Sequence, residues 1–124
     1  MSEELIAIEA AVQTYLDGLY EGDAEKLGSV FHESSALTGE TDGKLTILPR
    51  EKWLDAVRGR PSAKSQGHPR HDHVLQIDIA SPTMAFVKLK CALSPRFFTD
   101  YLCFIKADGK WRVAQKTFAT EVRG

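Results

Sequence analysis

Apolar positions along this chain follow two rhythms, helical in the first sixty residues and alternating after about residue 73. Leu5, Ile8, Val12, Leu16 and Leu19 recur at helical spacing with Tyr15 on the flank of the stripe, which predicts a long amphipathic helix ending at Gly22. Ser2 suits its N-cap, Glu3 and Glu4 suit the positive end of its dipole, and Gly22 supplies a left-handed stop. Asp23 then caps a second, short helix over Ala24 to Phe31, anchored by Leu27, Val30 and Phe31. His32 to Gly43 is polar and predicts a loop with at most a short strand at Ala36 to Thr38, closed by a turn at Asp42-Gly43. A brief strand over Lys44 to Leu48 leads to Pro49, which opens a third helix through Arg58 with Trp53, Leu54 and Val57 inward. Gly59 to Arg70 has no period and predicts a mobile loop, either a lid or a disordered segment.

The alternating half predicts four strands, Val74 to Ala80, Met84 to Leu93, Phe97 to Lys106 and Lys110 to Val122, separated by Ser81-Pro82, Ser94-Pro95 and Asp108-Gly109. This is the pattern of an antiparallel meander. A two-residue turn at Asp108-Gly109 pairs Ala107 with Lys110 and, counted outward, sets Phe104 opposite Val113, Leu102 opposite Gln115 and Asp100 opposite Thr117. The other face then holds Tyr101, Cys103, Ile105, Ala114, Lys116 and Phe118. Both faces are too apolar for water, so one is expected to meet the helices and the other a second copy of the chain, as a homodimer.

The length of 124 residues suits a single domain over 1–124, and a net charge of -1 with 43% apolar residues gives no pull toward nucleic acid or an anionic membrane. No apolar run approaches a membrane span, and the acidic start lacks the positive region of a signal peptide, so a cytoplasmic protein is expected. Cys91 and Cys103 are expected as buried thiols rather than a disulfide.

Several pieces of the chain carry a resemblance. They are Val12-Gln13-Thr14-Tyr15 running to Gly22-Asp23, Leu27 to Phe31 with His32, Asp100-Tyr101-Leu102, and Asp108-Gly109-Lys110-Trp111-Arg112-Val113. Over nearly its whole length the chain resembles the nuclear transport factor 2-like superfamily, and within it the small bacterial proteins grouped as lumazine-binding or polyketide-cyclase-like. The resemblance implies an α+β cone, with three N-terminal helices packed on a curved antiparallel sheet around a pocket. It does not fix an activity, since the superfamily hosts isomerases, dehydratases, cyclases, transport factors and plain binding modules. A weaker resemblance to ketosteroid isomerase implies that Tyr15 and Asp100 match a pair donating hydrogen bonds to a developing enolate. The position matching that enzyme's carboxylate base is Gly39, with Glu40 next to it.

Asp100 leads the candidate site residues, because a carboxylate on an apolar face must be neutral, paired or functional. It either anchors the core through Tyr15, Thr117 or backbone, or contacts a ligand, and Tyr15 carries the same two readings. His32 is a candidate proton carrier or a loop-fixing group. Phe31, Trp53, Leu102 and Phe104 are expected to line the pocket with Tyr15 and Asp100. His68, His71, Asp72 and His73 have a metal-like look that a basic loop edge explains as well, and no metal or cofactor is assigned. Lys116 is expected to project away from Asp100, into a salt bridge or subunit contact. The expected function is binding of a small hydrophobic, partly aromatic or carbonyl-bearing molecule. The alternative is an isomerase or dehydratase, with Tyr15 and Asp100 polarising a carbonyl and His32 or Glu40 moving the proton. A glycine where a base is needed favours binding.

Overall fold

The computed structural model describes residues 2–123, and its elements run α1 (Glu3–Glu21), α2 (Ala24–Val30), β1 (Phe31–Thr41), β2 (Lys44–Pro49), α3 (Arg50–Arg58), β3 (His73–Ser81), β4 (Met84–Leu93), β5 (Arg96–Ala107) and β6 (Lys110–Val122). Local signals account for the helix ends. The Ser2 side chain accepts from the Leu5 amide at 3.1 Å, and Asp23 accepts from the amides of Glu25 and Lys26. Gly22 sits at φ 67°, the left-handed conformation that ends α1 at no steric cost. Arg50, at the start of α3, donates to the carbonyls of Gly28 and Phe31 and so fixes α3 against the end of α2. Both Asp-Gly turns have positive φ at the two central residues, as two-residue hairpins require.

The six strands form one sheet in the order β2-β1-β6-β5-β4-β3. The β3 to β6 meander is antiparallel as expected. Residues 31–41, where the end of the second helix at Phe31 and a loop with at most a short strand at Ala36 to Thr38 were expected, instead form an eleven-residue strand that lies parallel to β6, so the sheet is mixed. Composition hid this strand because it contributes little apolar surface. Phe31, Ser35, Leu37 and Gly39 face the core while polar neighbours face out. The helices cover the inner face, where Ile8, Val12, Tyr15 and Leu16 of α1 meet Val87 and Leu89 of β4 and Leu102 and Phe104 of β5 in one core.

The pairing of β5 with β6 corrects the expected register. Ala107 pairs with Lys110 and Phe104 with Val113, but the next pairs are Cys103 with Gln115 and Leu102 with Lys116. One residue, Ala114, is extra on β6. Because side chains alternate, this bulge sends every later β6 residue to the opposite face. Asp100 therefore faces Phe118 and not Thr117, and Lys116, Phe118 and Thr120 turn toward the helices. The signal that could have revealed it is Phe118, an aromatic out of phase with the inward Trp111 and Val113.

The segment expected as a mobile loop, Gly59 to Arg70, carries contacts to the first helix. It is pinned to α1: the Lys64 amide donates to the Tyr20 carbonyl at 3.0 Å, and the Tyr20 hydroxyl donates to the His68 carbonyl at 2.8 Å. Arg70 bonds Asp17 and Asp72 at 2.9 and 2.7 Å and lies over the Tyr20 ring. Ser62 packs so near Gly22 that a β-carbon there would meet it at 2.9 Å. Cys91 is buried, whereas Cys103 is an exposed thiol on the outer face of β5 and not the buried one expected.

Candidate functional site

The Tyr15 hydroxyl donates to Asp100 Oδ2 at 2.5 Å, joining the middle of α1 to β5 with both residues fully buried. Burial first, and then the adjacent Asp100 charge, push the Tyr15 phenol well above its ordinary range, so it stays a donor. The Cys91 thiol, raised for the same two reasons in the same order, donates to Oδ2 at 3.6 Å. Lys116 Nζ stands 3.9 Å from the same oxygen. The carboxylate is thus held by three side chains from α1, β4 and β6.

Lys116 joins this pair to a cavity. It is only 6% exposed, and its ammonium lies over the rings of Tyr15, Trp53 and Phe118 at 5.1, 5.0 and 5.1 Å from their centroids. Three ring faces and a nearby carboxylate offset the loss of water around the charge. The cavity beyond it has a volume of about 600 Å³ and opens between α3, the pinned loop and the β1, β5 and β6 side of the sheet. Its apolar wall includes Leu37, Leu48, Trp53, Phe98 and Phe118, and its polar groups include Lys116 and Thr120, whose hydroxyl is buried with no partner. Arg60, Gln66 and His68 from the loop and Arg96 from β5 also line it.

The expected site residues divide on this geometry. Trp53 lines the cavity, and Phe31 stacks beneath it at 4.8 Å but does not line it. Tyr15, Asp100, Leu102 and Phe104 lie one layer below, fully buried in the core, so the cavity touches their neighbour Lys116 and not the pair itself. His32 is not part of the lining, and its Nδ1 engages Ser34 at 2.7 Å. Glu40 is exposed on the opposite side of β1, accepting from the Gly43 amide at the hairpin. Gly39 faces inward, but the Phe118 ring fills the place of its missing side chain, and a β-carbon there would collide with the ring. Among the described residues no carboxylate lines the cavity. Among the described residues no three His, Cys, Asp or Glu side chains gather as a metal set, and His71 stacks near Phe97. Likewise, no helix among them is long and apolar enough to cross a membrane. Sequence reasoning missed Lys116, Phe118, Arg60 and Arg96, the first two through the bulge and the others because a loop and a strand end meet only in three dimensions.

Comparison with known proteins places this geometry. Residues 3–119 match the model of the family described as "Putative lumazine-binding". The chain is 28% identical over 119 residues to Aldolase FrzH of Cladobotryum sp, a match covering 94% of this chain and 91% of that protein. Among solved structures it is similar to a nuclear transport factor 2-like protein of unknown function from Silicibacter pomeroyi, with TM-score 0.84 at 20% identity over 99% of this chain and all of that one. A ketosteroid isomerase-like protein from Erwinia carotovora atroseptica shares the fold with TM-score 0.76 at 16% identity, covering 99% of this chain and 100% of that one. Across its length, then, this chain belongs to the lumazine-binding family and has the α+β fold of the nuclear transport factor 2-like superfamily.

Proposed function

We propose that this protein binds a small, partly aromatic or carbonyl-bearing molecule in the cavity walled by Trp53 and Phe118. The observation that carries this reading is the cavity: about 600 Å³ of space with aromatic and aliphatic walls, and a single ammonium, Lys116, at its base. Apolar enclosure with a few placed polar groups selects such ligands, and the family's description supports an aromatic heterocycle. Titration with phenylnaphthylamine, a neutral aromatic reporter that fluoresces when desolvated, tests it. One saturable site per chain is expected, with affinity falling about tenfold or more in Trp53→Ala. No binding, or binding indifferent to Trp53, contradicts the reading; lumazine serves as the second probe.

A second reading, chemistry on a carbonyl, is favoured by one observation. Lys116 presents a buried ammonium to the cavity, backed by Asp100 and Tyr15. Such a group can polarise a carbonyl oxygen and stabilise the enolate formed when a base from solvent takes the α-proton, and the relative named an aldolase supports carbonyl chemistry. This role passes from Tyr15 and Asp100, which hold Lys116, to Lys116 itself, and it uses neither His32 nor Glu40. Deuterium uptake at the α-carbon of cyclic ketones, lost in Lys116→Met, would support it, and uptake no faster than in buffer would contradict it.

The proposal extends to assembly and compartment. The outer face exposes Tyr101, Ile105 and Met84, which supports pairing of two copies there, and two free thiols suit the cytoplasm.

A further inference from the structure

The cavity carries an uneven charge. Arg60, Arg96 and Lys116 line it together with His68, and among the described residues no Asp or Glu does. Lys116 is answered from behind by Asp100 at 3.9 Å. The two arginines are not answered: among the described residues, neither side chain makes an ion pair or a hydrogen bond within the protein. Other arginines nearby are committed, Arg70 to Asp17 and Asp72, and Arg123 to Glu121.

The fold brings Arg60 and Arg96 to one mouth from distant points. Arg60 follows Gly59, which ends α3, at the start of the loop pinned to α1; Arg96 opens β5 directly after Pro95. Both side chains are exposed at the mouth; partial loss of water around Arg60, and then the neighbouring Arg96 charge, hold its guanidinium below its ordinary value. Two like charges facing one opening raise its potential, and each guanidinium presents a planar fork of donors matched to a carboxylate or phosphate. Deeper in lie Trp53, Phe98 and Phe118.

From this arrangement we infer that the ligand is an aromatic anion, its ring seated against Trp53 and Phe118 and its acid group held between Arg60 and Arg96 at the mouth. This inference rests on the binding function proposed above and names the ligand class. A neutral molecule would leave both guanidiniums without a counter-charge and subject to their mutual repulsion. An acid group placed there turns that repulsion into two charge-assisted contacts.

The test compares two reporters that share one aromatic body, anilinonaphthalene sulfonate and neutral phenylnaphthylamine, on the full chain. The wild type is expected to bind the sulfonate more tightly, and the ratio of the two affinities is expected to fall about tenfold or more in the double variant Arg60→Gln/Arg96→Gln. The Lys/Lys double variant retains the charge and is expected to hold most of the ratio, which separates charge from damage to the fold. Displacement of the sulfonate by naphthoate or by naphthyl phosphate then distinguishes a carboxylate from a phosphate ligand. A ratio unmoved by the Gln substitutions, with both reporters still binding, overturns the anion inference and leaves the cavity function standing. Displacement by neutral naphthylmethanol as readily as by either acid does the same. If neither reporter binds, the binding function itself fails and the inference with it.

Discussion

Asp100 is where a single residue's environment decides most. Its carboxylate receives a hydrogen bond from Tyr15 and has Lys116 and Cys91 beside it, all in the core. Removing it in Asp100→Ala leaves a buried ammonium and a buried hydroxyl without their partner, and a loss of about 3 kcal/mol is expected in urea unfolding. Tyr15→Phe removes one bond and is expected to cost about 1–2 kcal/mol. The raised phenol also predicts a pH effect. The unfolded chain releases the Tyr15 proton above about pH 10 while the folded chain still holds it, so stability falls as pH rises through that range. Cys91, raised in the same way, starts the decline above about pH 9. Alkaline melting curves of the wild type should therefore steepen more than those of Tyr15→Phe. Gly39 has its own logic, because the Phe118 ring occupies the place of its side chain. Gly39→Ala is expected to destabilise by about 1–3 kcal/mol, with partial rescue by Phe118→Leu, measured by thermal unfolding. Asp100 could be found in the sequence because a carboxylate among apolar neighbours stands out. Lys116 was misplaced because its face depends on a bulge that nothing at Ala114 itself announces and only the phase of Phe118 betrays.

Among the elements, those with strong local chemistry were legible and those defined by their partners were not. Helices with caps and stops, and hairpins with Asp-Gly turns, are written into adjacent residues. Strand β1 pairs with the adjacent β2 along only its second half and needs β6, some eighty positions later, for the rest, and its polar composition reads as loop. The segment from Gly59 to Asp72 is ordered by side chains of α1 rather than by its own pattern. Hydrogen bonds from Gln13 and Arg70 hold the Asp17 carboxyl below its ordinary value against the opposing effect of burial. A depressed carboxylate contributes stability that is present above its unfolded value and lost as pH falls, so this pin should weaken below about pH 4. Asp17→Asn is expected to speed amide exchange in residues 62–68 and to cost only about 0.5 kcal/mol overall, since both side chains are about a third exposed. Unchanged exchange would mean that the loop is held by Tyr20 alone.

At the scale of the whole molecule, the order of helices and strands carried the fold, and the cavity lining was out of reach because its groups come from α3, the pinned loop, β5 and β6 together. The proposed dimer also belongs to this scale. Tyr101→Glu combined with Ile105→Glu places charges on the outer face, and sedimentation should show the wild type as a dimer and the variant as a monomer; equal masses would remove that face as an interface. The cavity remains the central claim, and the protein's two tryptophans allow a direct measurement. Trp53 lines the cavity, while Trp111 lies outside its lining. Recording the two indole N–H signals by NMR during titration with phenylnaphthylamine should move the Trp53 signal and leave that of Trp111 in place. Two signals that stay still at saturating reporter, or a shift confined to Trp111, would contradict the account.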